Sequence, residues 1–488
     1  MKREPKITEN SGEEVKVNRD IYEKELKNET ARNVSSYLDD REYYKRSRQE
    51  GSRTAYPRGE VKRTAASGNE ASRVRSVLPD EEDRQVSREA CRTQKKTKSK
   101  KKKKKKKRGP GRFIGKLAGV IVALILLLAV FLCIPATRPY AASIILRSPL
   151  GTLAANIFVG DDYNSNVLDS EFDSSLVESN TGVSSPGLYY TFALLGVDAR
   201  DEELESGSRT DTMVVVSVNR ITGGIKMASI ARDTYLYMTC GGETKYAKAN
   251  AAYAYWGAEG TLSMLNINYD LDIDDYVVVN FAGLTTIVDL IGGMTLEITE
   301  DELTYINSYA KSQCDSDGVD YEPLTETGTV TLTGTQVTAY CRIRYVNFTS
   351  PEDGTVYSSD WGRTARQRYV LTTLISELKS TSAMTLASAA KTVCAENTGD
   401  DKFITTSMSM GKLTSLLGMC YIGDIEDSSS FPVSGEYYSA SLSVGDSVIP
   451  DTLEENAVLL HEFLYNETDY SVSDGLVSAA SAARSTLN

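Results

Sequence analysis

Two groups of charged residues in this 488-residue sequence have types and spacings that suit chemistry. In the first, Asp198 follows LLGV, Arg209-Thr210-Asp211-Thr212 leads into the apolar run TMVVVSV, and Arg232-Asp233-Thr234 follows SIA. Each lies at the end of a run that reads as a strand, and strand ends are where open α/β sheets place their sites. Asp and Thr also cap strands and make turns, which explains any one cluster alone. Three around neighbouring strands read better as a site. Carboxylates converging without histidine suit a hard, oxygen-bound cation such as Mg2+.

The second group is more specific. Arg342 and Arg344 stand two apart, and Asp360 then opens the stretch Asp360-Trp361-Gly362-Arg363-Thr364-Ala365-Arg366-Gln367-Arg368. In a helix beginning near Trp361, the side chains of Arg363, Arg366 and Gln367 share one face. Arginines in a first helical turn oppose the helix dipole, so they do not serve helix stability. Forked guanidiniums beside free helical N–H groups do grip phosphate oxygens. The combination points to a Mg2+-assisted pyrophosphate or phosphodiester site.

Composition removes the common alternatives. The single histidine, His461, leaves no multi-histidine zinc site and only one candidate for a serine or cysteine triad. Seven cysteines show no CxxC spacing. Cys240 with Cys314, and Cys394 with Cys420, are conceivable disulfide pairs; the plainer expectation is free thiols. Proton transfer therefore falls to a carboxylate, Asp233 or Asp360.

The elements that must position these groups alternate. Leu188–Val197, Thr212–Val218, Ile225–Ile230, Tyr276–Phe281 and Met294–Ile298 read as strands. Lys245–Trp256, Gly260–Ile267, Leu284–Leu290, Thr335–Tyr340 and Gly362–Leu378 read as helices. The expected fold is α/β, a mixed β-sheet flanked by helices, over residues 186–466.

Charge divides the chain. Residues 1–112 carry 34 basic and 19 acidic side chains, whereas residues 113–488 carry 21 and 48. Between them, Leu117–Ile134 (LAGVIVALILLLAVFLCI) is uncharged and long enough to cross a bilayer as a helix. Thirteen Lys/Arg lie between Lys95 and Arg112, against Arg138 and Arg147 on the far side. The positive-inside rule then expects a disordered basic cytoplasmic tail over 1–112, a single span within 113–137 and an extracellular remainder. Beside a span, the lysine run reads as an anchor to anionic headgroups, and no nucleic acid is expected. Residues 138–185 (DDYNSN, DSEFDSS) read as a stem, and 467–488 as a flexible tail.

The ordered blocks LLGVDAR, SRTDTMVVVSVN, SIARDTYL, KANAAYAYWG, IDDYVVVNFAGL, LTGTQVTAYCRIR and SDWGRTARQRYVL resemble the LytR-CpsA-Psr family of cell-envelope phosphotransferases. The resemblance covers Leu188–Lys379 in motif detail and extends to the helix near Leu453–Tyr465. It implies a mixed sheet between helices, a hydrophobic pocket for a polyprenyl chain, and transfer of a glycopolymer from an undecaprenyl-pyrophosphate carrier to peptidoglycan in a Gram-positive bacterium. It further implies Mg2+ at Asp198 and Asp211. Pyrophosphate contacts would come from Arg209, Arg232, Arg342, Arg344, Arg363 and Gln367, with Asp360 beside them. Arg366 joins that set from its place on the helix face. Departures are Ala231 for the usual proline, Thr333 for a common acid, Arg368 where glutamine is frequent, and a longer Asn347–Ser359 segment. A polyprenyl-pyrophosphate phosphatase, a non-catalytic regulator of the envelope and a surface adhesin are the competing readings.

The flank asymmetry generates one test. Protease applied to intact cells should remove the chain beyond the span and spare the lysine-rich tail; a tail digested from outside would reverse the topology.

Overall fold

A computed structural model describes residues 138–487 apart from 198–207, 352–353, 400–401 and 434. The expected basic tail and membrane span lie outside the described residues. In chain order the elements are α1 (Arg138–Leu146), α2 (Pro149–Asp162), β1 (Tyr189–Val197), β2 (Thr210–Asn219), β3 (Ile225–Ile230), β4 (Tyr235–Cys240), β5 (Glu243–Lys248) and α3 (Ala251–Tyr269). Then come β6 (Tyr276–Asn280), α4 (Phe281–Leu290), β7 (Met294–Ile298), α5 (Glu300–Asp317), β8 (Gly328–Leu332), α6 (Gly334–Tyr340), β9 (Phe348–Thr349), β10 (Val356–Tyr357) and α7 (Ser359–Ser380). The last group is α8 (Ala383–Glu396), β11 (Ile404–Thr406), α9 (Met410–Cys420), β12 (Ile425–Phe431), β13 (Tyr437–Leu442), β14 (Gly445–Pro450), α10 (Leu453–Tyr465) and α11 (Asp474–Ser485).

Six strands form the central sheet in the order β11-β6-β1-β2-β3-β12. It is mixed, as expected: β1 runs antiparallel to β2 and parallel to β6, while β3 runs parallel to β12. Side chains alternate across a strand, and here both faces are apolar because helices cover both. Ala193, Leu195, Met213, Val215, Ala228 and Ile230 pack with Leu262 and Leu265 of α3 and Leu460 and Leu464 of α10. On the other face Phe192, Val214, Val216 and Met227 meet Leu416 and Met419 of α9, with Leu371 and Ile375 of α7 beside them.

Three expectations are corrected. Lys245–Lys248 belong to a strand, not a helix, because Gly241 (φ 59°) and Gly242 (φ 83°) close a tight hairpin and pair Tyr237 with Tyr246 across it. Helix α3 starts only at Ala251 and runs through a break at Gly257 (φ 65°) to Tyr269. The expected stem is folded: α1 packs on α9, where Gly418 lacks the Cβ that would lie 2.7 Å from Arg147 Cγ. Beyond it, Tyr163 Oη donates to Met408 O at 2.6 Å and Asn166 Nδ2 to Cys394 O at 2.7 Å. The expected flexible tail contains α11, which buries Leu476, Ala479, Ala480 and Ala483. Its N-cap Ser473 is fixed by the buried Asp270 carboxylate, which accepts from Ser473 Oγ at 2.6 Å and Ser473 N at 2.7 Å.

His461 is part of this packing. Its Nε2 donates toward the carbonyls of Tyr269 and Asp270 at 3.1 and 3.0 Å, and Tyr470 stacks on its ring at 3.5 Å. The five cysteines of the described residues are free, so the conceivable disulfides do not form. Burial pushes the Cys341 thiol up to about 12 and those of Cys240, Cys394 and Cys420 up to about 11. Thiolate is the reactive form. Peptides carrying these four residues should stay unmodified when the native protein meets iodoacetamide near pH 8, and be alkylated fully after denaturation. Rapid native labelling read by mass spectrometry would contradict the packing.

Candidate active site

A β-bulge builds the centre of the site. β1 and β2 pair in register to Gly196 opposite Thr212, and the next pair is Val197 opposite Thr210, so Asp211 is the extra residue. Such a bulge re-aims a side chain without ending the strand. Gly196 accommodates it, since a Cβ there would sit 2.9 Å from Thr212 Cβ.

The turn after β3 supplies the next groups. Thr234 Oγ1 donates to Ala231 O at 2.7 Å, and the carbonyls of Arg232 and Asp233 accept from Asn250 N and Val448 N. With its backbone tied on both sides, Arg232 reaches Asp211, Nη1 to Oδ1 at 2.6 Å. Helix α7 brings the third contribution. Ser359 begins it with φ 55°, a sparsely populated conformation for a non-glycine residue, of a kind that concentrates at functional sites. Asp360 then stands in the first turn, where a carboxylate suits the dipole, and Arg363 follows one turn on.

These residues converge in one ion-pair network. Arg363 Nη1 lies 3.0 Å from Asp211 Oδ2, and its Nη2 lies 3.1 Å from Asp360 Oδ1. Arg344 approaches Asp360 at 3.6 Å and Asp211 at 3.9 Å. Arg232 Nε lies 3.4 Å from Asp233 and 3.7 Å from Asp360, while Lys248 Nζ bonds Asp233 at 3.0 Å. Four cations thus share three carboxylates.

The electrostatics are uneven. Burial works to raise the Asp211 carboxyl, but Arg232 and Arg363 outweigh it and hold the group below the usual carboxylate range. Burial likewise disfavours the Arg232 charge, yet Asp211, Asp360 and Asp233 raise its pKa. Arg363 differs: burial and the neighbouring Arg232 depress its pKa, and Asp211 and Asp360 do not fully compensate. Its side chain is 3% exposed, and the buried Nε atoms of Arg232 and Arg363 donate no hydrogen bond. Unpaired buried donors of this kind are uncommon and costly.

Other expected residues are placed differently. Arg366 faces inward and is a correction: fully buried, it bonds Glu302 at 2.9 Å, Val346 O at 2.9 Å and Asn347 O at 3.2 Å. Its guanidinium holds the 343–347 loop to α7 and has no face for a ligand. Gln367 is half-buried and donates to Cys341 O at 3.4 Å, with its Oε1 lacking a partner. Arg342 lies over the rings of Phe281 and Tyr309 at 5.7 and 5.3 Å. Arg209 is exposed, and Asp198 lies outside the described residues. Thr333 caps α6 in a capping box with Gln336, which gives that departure a local role.

Two participants were missed from the sequence. Lys248, in KAN, reads as a helix surface residue until β5 turns it toward Asp233. Glu302, in the first turn of α5, reads as a dipole-compensating acid, and nothing local ties it to Arg366, 64 positions away. For Mg2+, Asp211 is the right donor type, a hard carboxylate oxygen. It is short in number: among the described residues no three His, Cys, Asp or Glu side chains surround a common point.

The LytR_cpsA_psr family profile matches residues 167–434. A polyisoprenyl-teichoic acid–peptidoglycan teichoic acid transferase TagU of Halalkalibacterium halodurans is 34% identical over 201 residues, 41% of this chain and 57% of that protein. The TagU of Enterococcus faecalis is 30% identical over 212 residues, 43% of this chain and 61% of its own length. The matches therefore span less than two thirds of these relatives. A solved structure, "TagT bound to LIIa-WTA", aligns at 22% identity and a TM-score of 0.44, covering 62% of this chain and 99% of that one.

Two outcomes follow from the network. The lowered Asp211 pKa means that its contribution to stability is complete above the ordinary carboxylate value of about 4 and is lost as pH falls through the lower folded value. Urea midpoints of wild type and Asp211→Asn should therefore differ at pH 7 and converge below pH 4; a constant gap would contradict the pairing. Arg366→Ala, which strands Glu302, should cost about 3–5 kcal/mol, whereas Arg344→Ala, half-buried and loosely paired, should stay within about 1 kcal/mol.

Proposed function

Because the chain belongs to the LytR-CpsA-Psr family, we propose that it transfers a glycopolymer phosphate from an undecaprenyl-pyrophosphate carrier to peptidoglycan, outside the membrane of a Gram-positive bacterium. The observation that carries this reading is Arg363, a buried guanidinium whose charge is disfavoured by burial and by Arg232 and whose Nε has no acceptor. A doubly charged pyrophosphate diester would supply both the anion and the acceptor. The relatives named as polyisoprenyl-teichoic acid–peptidoglycan teichoic acid transferases act on donors and acceptors of the same chemistry.

In this reading the carrier's phosphates lie against Arg363, Arg232 and Arg344, with Arg342 and Arg209 at the margin. A hydroxyl of the peptidoglycan sugar, by family analogy the C6 hydroxyl of N-acetylmuramic acid, attacks the sugar-linked phosphorus. A new P–O bond forms, the bond to the bridging oxygen breaks, and polyprenyl phosphate leaves with the electron pair. The negative charge that grows on the leaving oxygen is met by guanidiniums already fixed by Asp211 and Asp360, so little reorganisation is needed. Asp360 takes the hydroxyl proton; at 34% exposed it is more open than Asp233, which is 25% exposed and bonded to Lys248. Arg232 acts through Asp211 and the phosphates. Mg2+, which Asp198 and Asp211 would hold, would offset phosphate charge when bound.

The test uses the full chain in vesicles with a lipid-linked glycopolymer and peptidoglycan. Arg363→Ala should lower covalent transfer about a hundredfold, the equivalent of about 3 kcal/mol. Arg363→Lys should recover little, because an ammonium cannot make a planar two-point grip. Release of free glycopolymer phosphate with no covalent product would make the protein a phosphatase. Full transfer by Arg363→Ala would remove this site from the reaction.

A further inference from the structure

The surface formed by α1 and α2 carries no part in the chemistry above, yet it gathers a cluster of exposed apolar side chains. Eighteen large hydrophobic residues are exposed among the described residues, and six of them, Tyr140, Ile144, Leu150, Leu153, Ile157 and Phe158, fall within nineteen positions. Scattered exposed hydrophobics need no explanation; a cluster of this kind does. On α2 the helical spacing puts Leu150, Leu153, Ile157 and Phe158 on one face. The opposite face is already used, since Ala155 and Val159 pack toward Tyr163, Val167 and Met410, and Thr152 Oγ1 lies 3.2 Å from Thr414 Oγ1. The outward face is therefore not a core face turned out by mistake. Between Pro139 and Gly160 the one charged residue is Arg147, in the turn between the two helices.

Chain length says what covers it. The apolar run that the sequence reads as a membrane span ends at Ile134, four residues before α1. Four residues reach at most about 14 Å even when fully extended, so α1 cannot leave the bilayer surface if that run crosses it. A flexible stem would have released the domain, but the stem is folded onto α9 and the sheet. We propose that the outward faces of α1 and α2 lie in the outer interfacial layer of the phospholipid bilayer, with Ile157 and Phe158 among the acyl chains. An apolar helix face laid parallel to the membrane plane sinks into the boundary between headgroups and acyl chains, and its hold grows with the apolar area buried. Arg147 and Arg220, exposed and joined by a 3.0 Å bond from Arg147 Nη2 to Arg220 O, then stand beside the anionic headgroups. The domain is thereby held against the membrane that a lipid-linked donor occupies. This inference rests on the span reading for its tether, and its test separates the two.

The full chain is reconstituted in vesicles of phosphatidylglycerol and phosphatidylcholine. A fluorescent amino acid is placed singly at Leu153, Ile157, Leu126 or Val319, and acyl-chain-brominated lipid is the quencher. Val319 is exposed on a loop after α5 and serves as the reference. At an acyl-chain depth of ~5–10 Å, emission at Leu153 and Ile157 should fall by about half while Val319 is unaffected. Quenching at Ile157 no greater than at Val319 overturns the proposal. A blue-shifted but unquenched Ile157 also overturns it, because a protein surface or a second copy then covers the face. The Leu126 probe reports on the span alone: quenching at Ile157 without quenching at Leu126 keeps the interfacial face and removes the span.

Discussion

One carboxylate organises the reactive end of this domain. Asp211 holds Arg232 at 2.6 Å and Arg363 at 3.0 Å, two like charges that would otherwise repel in a poorly solvated place. It reaches both because a single extra residue in β2 turns it out of the ladder. Without the bulge the carboxylate would keep strand register, and the two arginines would share only Asp360, which lies 3.7 Å from Arg232. Asp360 then shares Arg363 and Arg344, so three strand and helix ends are tied into one network. Carboxylates remain outnumbered four to three, and the proposed anion site rests on that imbalance.

The support behind the network is equally specific. Arg366, one turn after Arg363 on the same helix, spends its guanidinium on Glu302 and two backbone carbonyls. It fixes the loop from which Arg344 projects. Buried ion pairs are weak sources of net stability but breaking one is costly, so this pair acts chiefly as a constraint on geometry. Neighbouring arginines in one helical repeat thus have opposite assignments, one left with an unpaired donor and the other saturated.

Much of this was legible in the sequence, and what was not had physical reasons. The strands β1, β2, β3 and β6 announced themselves as apolar runs buried on both faces. The clusters at Asp211 and Arg232 were found because three such clusters fall at the ends of neighbouring strands, and Arg363 because an arginine there opposes the helix dipole. Arg363 and Arg366 could not be told apart, since helical spacing gives both the same face and only the distant Glu302 decides. Lys248 was hidden because β5 depends on a Gly-Gly hairpin and cross-strand tyrosines rather than on apolar alternation. The stem was misread for a related reason: its polar residues, Tyr163 and Asn166 among them, are satisfied by backbone groups far along the chain.

On the proposed reading Arg232 and Arg363 are set in place to receive an anion, and Arg366 is not. Titrating 15N-arginine-labelled protein with a water-soluble, short-chain isoprenyl pyrophosphate and following the Nε–H resonances by NMR tests it most directly. Large downfield shifts are expected for Arg232 and Arg363, whose Nε atoms donate no hydrogen bond without the anion, and a stationary signal for Arg366. A moving Arg366 with silent Arg232 and Arg363 would contradict it.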